Sequence, residues 1–188
     1  MDKLNVGFWR PVAEVLRLKS NDDAVTWRRL RRIRMYAERM KRPVLFSENG
    51  LSTEGWQFTV RAQDIRLMDA IRWNGNHFFL TSIEALPDRR DFLTITAAKV
   101  KCVSCVAAME TQRPGPSFPG VLTEKYIRHE QHMPDAVNLI CYVLVTPKCV
   151  NLAPGSLVEI NKTPYEVLVA HRLDAVKNEY ECYRKADL

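Results

Sequence analysis

The sequence lacks the features that would place it at once in a membrane, secreted or nucleotide-binding class. No apolar run approaches the roughly 20 residues that a helix needs to span a bilayer. The N-terminus shows no basic start followed by an apolar core, so we expect no signal peptide and synthesis in a cytosol. The seven glycines form neither the GxGxxG nor the GxxxxGK(S/T) pattern that cradles phosphates.

Sequence signs of catalysis are also missing. The chain contains no HExxH metal-binding motif and no GxSxG nucleophile motif. His129 and His132 have the spacing of a chelating pair on a helix, but only Glu130 or Asp135 lies near enough to add a ligand. We therefore expect surface histidines, no catalytic residues, no cofactor and no enzymatic activity.

The cysteines are few and odd in number. Five cysteines without a secretion signal argue against a disulfide framework. One CxxC pair, Cys102 and Cys105, has metal-ligand spacing, and Cys141 and Cys149 could complete a four-thiolate zinc site. However, Cys141 lies in an apolar run typical of a core strand, and zinc ribbons usually carry two close CxxC pairs. The sequence therefore favours buried or edge thiols, with these four as weak candidates for a metal site.

Positive charge is what the sequence does contain, and it is concentrated. The chain has a formal net charge of +6, yet residues 27–42 hold eight Lys and Arg against Glu38 alone, so the remainder sums to −1. Such a basic stripe can contact nucleic-acid phosphates or an acidic partner surface, or it can be a solvated strand face. The candidate docking residues are Arg28, Arg29, Arg31, Arg32 and Arg34.

A pattern of two successive hairpins occurs twice in the chain. Residues 69–97 and 156–184 align without a gap at a shift of 87, which places Asn74 on Asn161 and Phe78 on Tyr165. Asn74-Gly75 is the preferred pair for a two-residue hairpin turn because both residues need positive φ. The agreement in apolar phase and turn position predicts a structural repeat, although any two β-meanders share some of it.

Short strands at regular spacing predict a mainly β fold of two small, SH3-like β-barrels in tandem. Residues 110–120 hold three prolines and two glycines, which cannot continue a helix or a central strand and so predict a linker. We therefore divide the chain into residues 1–111 and 112–188. A long polar loop from Lys41 to Gly55 interrupts the first half.

Two segments of the first half leave their secondary structure open. The stretch WRPVAEVLRLK (residues 9–19) fits a strand or a helix that begins at Pro11. The stretch RRIRMYAERM (residues 31–40) places Ile33, Met35 and Ala37 two apart, as a half-buried strand would, but it also fits a helix.

Aromatic residues interleaved with the basic stripe raise an alternative function. Trp9, Trp27, Tyr36 and Trp73 could stack on nucleic-acid bases, although barrel cores use the same residues routinely. The alternative is therefore a tandem β-barrel nucleic-acid-binding module that uses residues 28–42.

Residues 9–102 resemble the head-closure, or head–tail connector, proteins of tailed bacteriophages. The most specific part is TVRAQDIRLMDAIRWNGNHFFLTSIEALPDRR. Members of that family show an extended strand with arginine, a D-x-I-x-W/Y-x-G turn, an aromatic residue and a break rich in Asp and Arg. The matching residues are Arg61, Asp69, Ile71, Trp73, Gly75 and Phe78. The chain departs from the pattern at Ala62, where Tyr is common, and at SNDDAVTW, which replaces an Asp-Gly-Glu turn.

The resemblance implies a structural virion protein of the phage neck, made in the host cytoplasm and without a membrane. Identical subunits would form a ring between portal and tail that extends the channel, helps retain packaged double-stranded DNA and docks the tail. The implied partners are further copies of this chain, a portal or adaptor protein, tail proteins and the passing DNA. The family's long loop faces the channel, and its candidate residues here are Lys41, Arg42, Ser47, Glu48, Asn49 and Gly50.

The second half is unusual for that family, whose members are commonly single domains. Taken with the repeat, it resembles a duplicated or fused barrel, and the position in the neck, adaptor or stopper, stays open. We expect exposed strand edges to join neighbouring subunits by strand addition.

Overall fold

The computed structural model describes residues 11–40, 54–108, 114–125, 141–172 and 174–185. Every regular element in these ranges is a β-strand, and the strands close into two six-stranded barrels. The predicted mainly β fold with two barrel domains is therefore confirmed. The described residues include no helix of the length and hydrophobicity that a membrane span requires.

The first barrel contains six antiparallel strands with the closed order β1-β2-β3-β6-β5-β4. Their bounds are β1 Val12–Ser20, β2 Val25–Arg39, β3 Gly55–Arg61, β4 Ala70–Trp73, β5 Asn76–Leu86 and β6 Arg89–Val100. Both segments with open secondary structure are thus strands where the structure describes them, since β1 covers residues 12–19 of the first and β2 covers residues 31–39 of the second.

The second barrel has the closed order β7-β8-β9-β12-β11-β10. Its strands are β7 Cys102–Ala108, β8 Pro114–Lys125, β9 Cys141–Pro147, β10 Leu157–Ile160, β11 Thr163–His171 and β12 Lys177–Arg184. When β1 to β6 are matched in order with β7 to β12, the two barrels have the same connectivity.

The agreement between the barrels extends to register at the shift of 87 residues. The pair Ile71–Phe78 in the first barrel corresponds to Val158–Tyr165 in the second. The ladder is interrupted between Leu80 and Ser82 in β5 and between Val167 and Val169 in β11, which are equivalent positions. Both hairpins turn through left-handed residues, with φ of 48° and 74° at Asn74 and Gly75 and of 49° and 67° at Asn161 and Lys162.

The boundary between the compact units differs from the predicted division at residues 111 and 112. The residues from Cys102 onward belong to the second unit, because β7 pairs with β8 and with β10, and Ser20–Thr26, where β1 ends and β2 begins, belongs to it as well. The last strand of the first barrel, β6, ends at Val100, and β7 belongs to the second barrel.

The predicted linker at residues 110–120 is also corrected, since residues 114–120 lie in β8. Here β8 pairs with β7, and its ladder with β9 starts only at Val121. On its other side, this half meets residues 23 and 24, where the N–H of Ser117 donates to the carbonyl of Asp23 at 3.0 Å. Proline lacks a backbone donor, so a strand tolerates it where one side carries no continuous ladder. At Gly120 a Cβ would lie 2.8 Å from Leu144 and 3.0 Å from the Sγ of Cys105, so glycine permits this close packing.

Each described strand takes a place in one of the two closed rings of strands. Closure still leaves parts of some strands without a full ladder on one side. Residues 114–120 of β8, for example, form a ladder with β7, and within the described ranges their other side meets an isolated bridge between Ser117 and Ala24. Joining of subunits by strand addition therefore stays a prediction.

Side-chain alternation along β2 sets the inside and the outside of the first barrel. Ile33 and Met35 are buried in the core with Phe58, Phe78 and other apolar residues, while the intervening arginines point outward. Of the two interpretations left open for this segment, the half-buried strand is therefore correct, and its period of two places Arg28, Arg32 and Arg34 on the outer surface.

Candidate functional site

The outer face of β2 carries the arginines predicted as a docking stripe. Arg28, Arg29, Arg32 and Arg34 are exposed, and Arg31 is half-buried. Strand alternation explains the exposure of Arg32 and Arg34, and Arg28 lies in the same phase. Arg29 and Arg31 lie in the phase of the core residues Ile33 and Met35, yet Arg29 is exposed and Arg31 only half-buried. Neither Arg28 nor Arg34 has an ion-pair partner within the described ranges, so no described carboxylate balances either charge.

Glu14 on the neighbouring strand β1 forms ion pairs with three surrounding arginines. Its carboxylate lies 3.3 Å from Nη1 of Arg29, 3.7 Å from Nε of Arg32 and 2.9 Å from Nε of Arg72. The hydrogen bond from Arg72, together with that from Arg29, lowers the pKa of Glu14 below its ordinary value. One carboxylate against three guanidinium groups leaves this part of the face positive.

A second carboxylate fixes an arginine that the sequence did not single out. Arg17 donates from Nε and Nη2 to the two carboxylate oxygens of Asp69, each at 2.8 Å, and from Nη1 to Asp64 at 3.2 Å. The side chain of Asp69 is only 1% exposed, and the backbone N–H of Arg66 also donates to it at 2.9 Å. The hydrogen bond to Asp69 raises the pKa of Arg17 further above its ordinary value.

The pairing of Arg17 and Asp69 gives a structural role to one residue of the family-like motif. A buried carboxylate needs a partner, so Asp69, just before a predicted strand, indicates that a cation lies nearby. The local sequence could not identify this cation as Arg17, because 52 residues separate Arg17 from Asp69.

An open groove of about 410 Å³ lies on the first barrel. The described residues that line it are Arg17, Lys19, Arg28, Arg29 and Leu30. The structure thus joins two arginines of the predicted stripe to two cations of β1 that the sequence left unassigned. Arg31, Arg32 and Arg34 are not part of this lining.

The remaining predicted sites do not contribute to this face. The candidate channel residues Lys41, Arg42, Ser47, Glu48, Asn49 and Gly50 lie outside the described residues, as do His129 and His132. The predicted end of the loop is corrected, because Gly55 begins β3 and its carbonyl accepts a hydrogen bond from the N–H of Met40 at 2.9 Å.

The four cysteines named as weak metal candidates occupy different environments in the second barrel. Cys105 and Cys141 are buried, Cys102 is half-buried and Cys149 is exposed, and all are free thiols. Burial raises the pKa of Cys102 to about 11 and that of Cys105 to about 12, which disfavours the thiolate that binds metal. Across the described ranges, no three His, Cys, Asp or Glu residues come together as a metal site.

The tryptophans considered as a base-stacking platform contact other rings of the protein. Trp73 packs edge-on against Phe58 with centroids 6.1 Å apart and against Trp56 at 5.2 Å. Trp27 lies 5.4 Å from the ring of His77. Burial, with the charge of Arg72, lowers the pKa of His77 to about 4. Tyr36 is half-buried and Trp9 lies outside the described residues.

Comparisons with known proteins identify no relative of this chain. A scan of protein-family models, a search of curated proteins and a search of solved structures each return no match to this chain.

Proposed function

We propose that this protein is a structural connector of a phage neck, which forms a ring between portal and tail. In this role it extends the DNA channel, helps retain packaged DNA and docks the tail. The observation that carries the proposal is the fold of the family-like segment, residues 59–90, which supplies the turn and hairpin that close the first barrel.

The motif residues of that segment have linked roles in the barrel. Asp69 holds Arg17, Ile71 pairs with Phe78 across β4 and β5, and Trp73 packs against the core aromatic Phe58. Asn74 leads the tight turn between the two strands. A motif that builds the scaffold suits a family that is held together by its fold and not by a catalytic site.

The surface of the first barrel supports a docking role. Its outward arginines lie on a strand whose other side is anchored in the core, so they form a rigid array. A ring subunit needs complementary surfaces for its neighbours, and charged side chains can provide specificity there. The acidic surface that this array would contact belongs to a portal, adaptor or tail protein.

A second candidate is a tandem-barrel nucleic-acid-binding module that uses the same stripe. The observation in its favour is the exposure of Arg28 and Arg34 without an acidic partner among the described residues. The packing of Trp27 and Trp73 against other rings counts against a base-stacking version of it.

Mass measurement on isolated phage necks tests the connector role. The proposal expects this chain in a ring of roughly six or twelve copies bound to its portal or tail partner. Recovery of the chain only as a free cytosolic monomer during infection would count against it. The order of genes provides a cheaper test, since portal, capsid and terminase genes are expected alongside.

A further inference from the structure

The basic groove on the first barrel combines fixed and uncommitted positive charges. The guanidinium of Arg17 is held by Asp69 and Asp64, so its position is set before any ligand arrives. Arg29 shares Glu14 with two other arginines. By contrast, Lys19 and Arg28 are exposed and have no acidic partner within the described ranges. These two cations are therefore the groove's available charges for an anionic ligand.

The groove also presents apolar surface, which a purely electrostatic site would not need. Leu30 lines it and is 40% exposed. Two further exposed apolar residues, Leu67 and Met68, lie in the turn that the hydrogen bond from Asp69 N to Arg66 O closes at 2.8 Å. That turn ends at Asp69, whose carboxylate binds Arg17, so the exposed apolar residues Leu67 and Met68 are close in sequence to the residue that positions Arg17.

This combination distinguishes two kinds of anion. A nucleic-acid backbone presents phosphates and sugars to such a surface and gives little reason for an exposed leucine between the cations. An extended protein segment with acidic residues and an apolar residue between them satisfies both features, because it pairs the cations and covers Leu30.

We infer that this groove is the receptor for an acidic protein segment that places carboxylates on Lys19 and Arg28 and an apolar side chain on Leu30. That the segment comes from a neighbouring neck protein rests on the proposed function. The recognition chemistry stands on the groove alone.

The test uses the full chain and three fluorescent probes. The first probe is a short peptide that alternates glutamate and leucine, the second replaces glutamate with glutamine, and the third is a short DNA duplex. Fluorescence anisotropy at low and at physiological salt gives the affinity of each probe. The acidic peptide is expected to bind most tightly, and the affinity of the glutamine peptide is expected to be lower by about tenfold or more.

Matched variants locate the site. Lys19→Gln combined with Arg28→Gln is expected to weaken acidic-peptide binding by about tenfold, while Arg90→Gln, an exposed arginine of β6, leaves it unchanged. Leu30→Ser is expected to weaken it by roughly fivefold, while Leu168→Ser, an exposed leucine of the second barrel, has no effect. All five positions are exposed, so thermal unfolding should show intact folds.

Three results would overturn the inference. The first is equal affinity for both peptides, and the second is binding that Leu30→Ser leaves unchanged. The third is tighter binding of the DNA duplex with the same loss in the Lys19 and Arg28 variant, which would assign the groove to nucleic acid. Acidic-peptide binding by a chain that is absent from necks would instead contradict the proposed function alone, and a neck ring without peptide binding would contradict the groove alone.

Discussion

Arg17 and Asp69 form a bidentate ion pair, with two hydrogen bonds of 2.8 Å each, that joins β1 to the turn before β4. The carboxylate is buried and the guanidinium is about three-quarters covered. Because Arg17 also lines the basic groove, this pair links the stability of the first barrel to the geometry of its candidate docking face.

The first prediction follows from that pair. Arg17→Met leaves the carboxylate of Asp69 buried without its partner, so we expect the first barrel to lose about 3 kcal/mol of unfolding free energy. All four tryptophans lie in residues 1–101, so tryptophan fluorescence during urea unfolding reports on this barrel. The exposed Arg34→Met should change stability by less than about 0.5 kcal/mol.

A double variant separates the pair from other effects of the substitution. Arg17→Met together with Asp69→Leu removes both charges and should recover part of the loss. If Arg17→Met is as stable as the parent protein, the ion pair does not hold the turn.

The second prediction concerns pH and His77. Its pKa is about 4 in the folded chain against an ordinary value of 6.5, so the unfolded chain binds a proton more readily between these values. Stability from the neutral ring is complete above about pH 6.5 and falls as pH drops towards 4, by at most about 3 kcal/mol. His77→Phe keeps an aromatic ring beside Trp27 and should flatten this decline.

The measurement is the urea midpoint of the tryptophan signal at a series of pH values. His171→Gln, at an exposed position of the second barrel, serves as control and should leave the profile unchanged. A decline of the same size in the His77→Phe variant would assign the pH dependence to other groups.

The third prediction compares the equivalent turns of the two barrels. Gly75 has φ of 74° with nothing within 4 Å of a Cβ, so Gly75→Lys meets no clash and costs only backbone strain, about 1–2 kcal/mol. Lys162 already occupies that conformation with φ of 67°, so Lys162→Gly should stabilise the second barrel by roughly 0.5–1 kcal/mol.

Hydrogen exchange read by mass spectrometry resolves the two barrels for this test. Protection of β4 and β5 should fall in the first variant, and protection of β10 and β11 should rise in the second. A rise in protection for Gly75→Lys, or a fall for Lys162→Gly, would show that the two turns are not equivalent in the folded chain.

The fourth prediction tests how the basic face is used. Arg28→Glu with Arg34→Glu reverses two exposed charges that have no ion-pair partner among the described residues, so the barrel should fold normally. We expect loss of docking on the portal or tail partner, seen as particles without tails in electron micrographs. If the only change is a weaker, salt-dependent affinity for DNA, with a slope reduced by about one for each lost contact, the nucleic-acid alternative is correct.

Local patterns predicted much of the fold because they record local physics. The Asn74-Gly75 pair marks a turn that needs positive φ, and its counterpart at Asn161 turns in the same way. The alternation of Ile33 and Met35 with arginines determined which side of β2 faces solvent. These signals involve neighbours in sequence, so they can be read without a structure.

The features that escaped prediction depend on distant contacts. Arg17 and Asp69 meet across 52 residues, and no local pattern pairs them. The prolines of residues 114–120 resemble a linker until it is known that this half of β8 forms a continuous ladder with β7 alone. The groove is likewise a product of topology, because it brings Lys19 beside Arg28 from separate strands.

Electron cryomicroscopy of purified phage necks from cells that produce this chain is the most direct test of the connector role. We predict ring density between portal and tail into which both six-stranded barrels fit, with the arginine face of β2 against an acidic surface of an adjoining protein. A neck whose density is fully accounted for by other proteins, with this chain absent from the particle, would contradict the proposal.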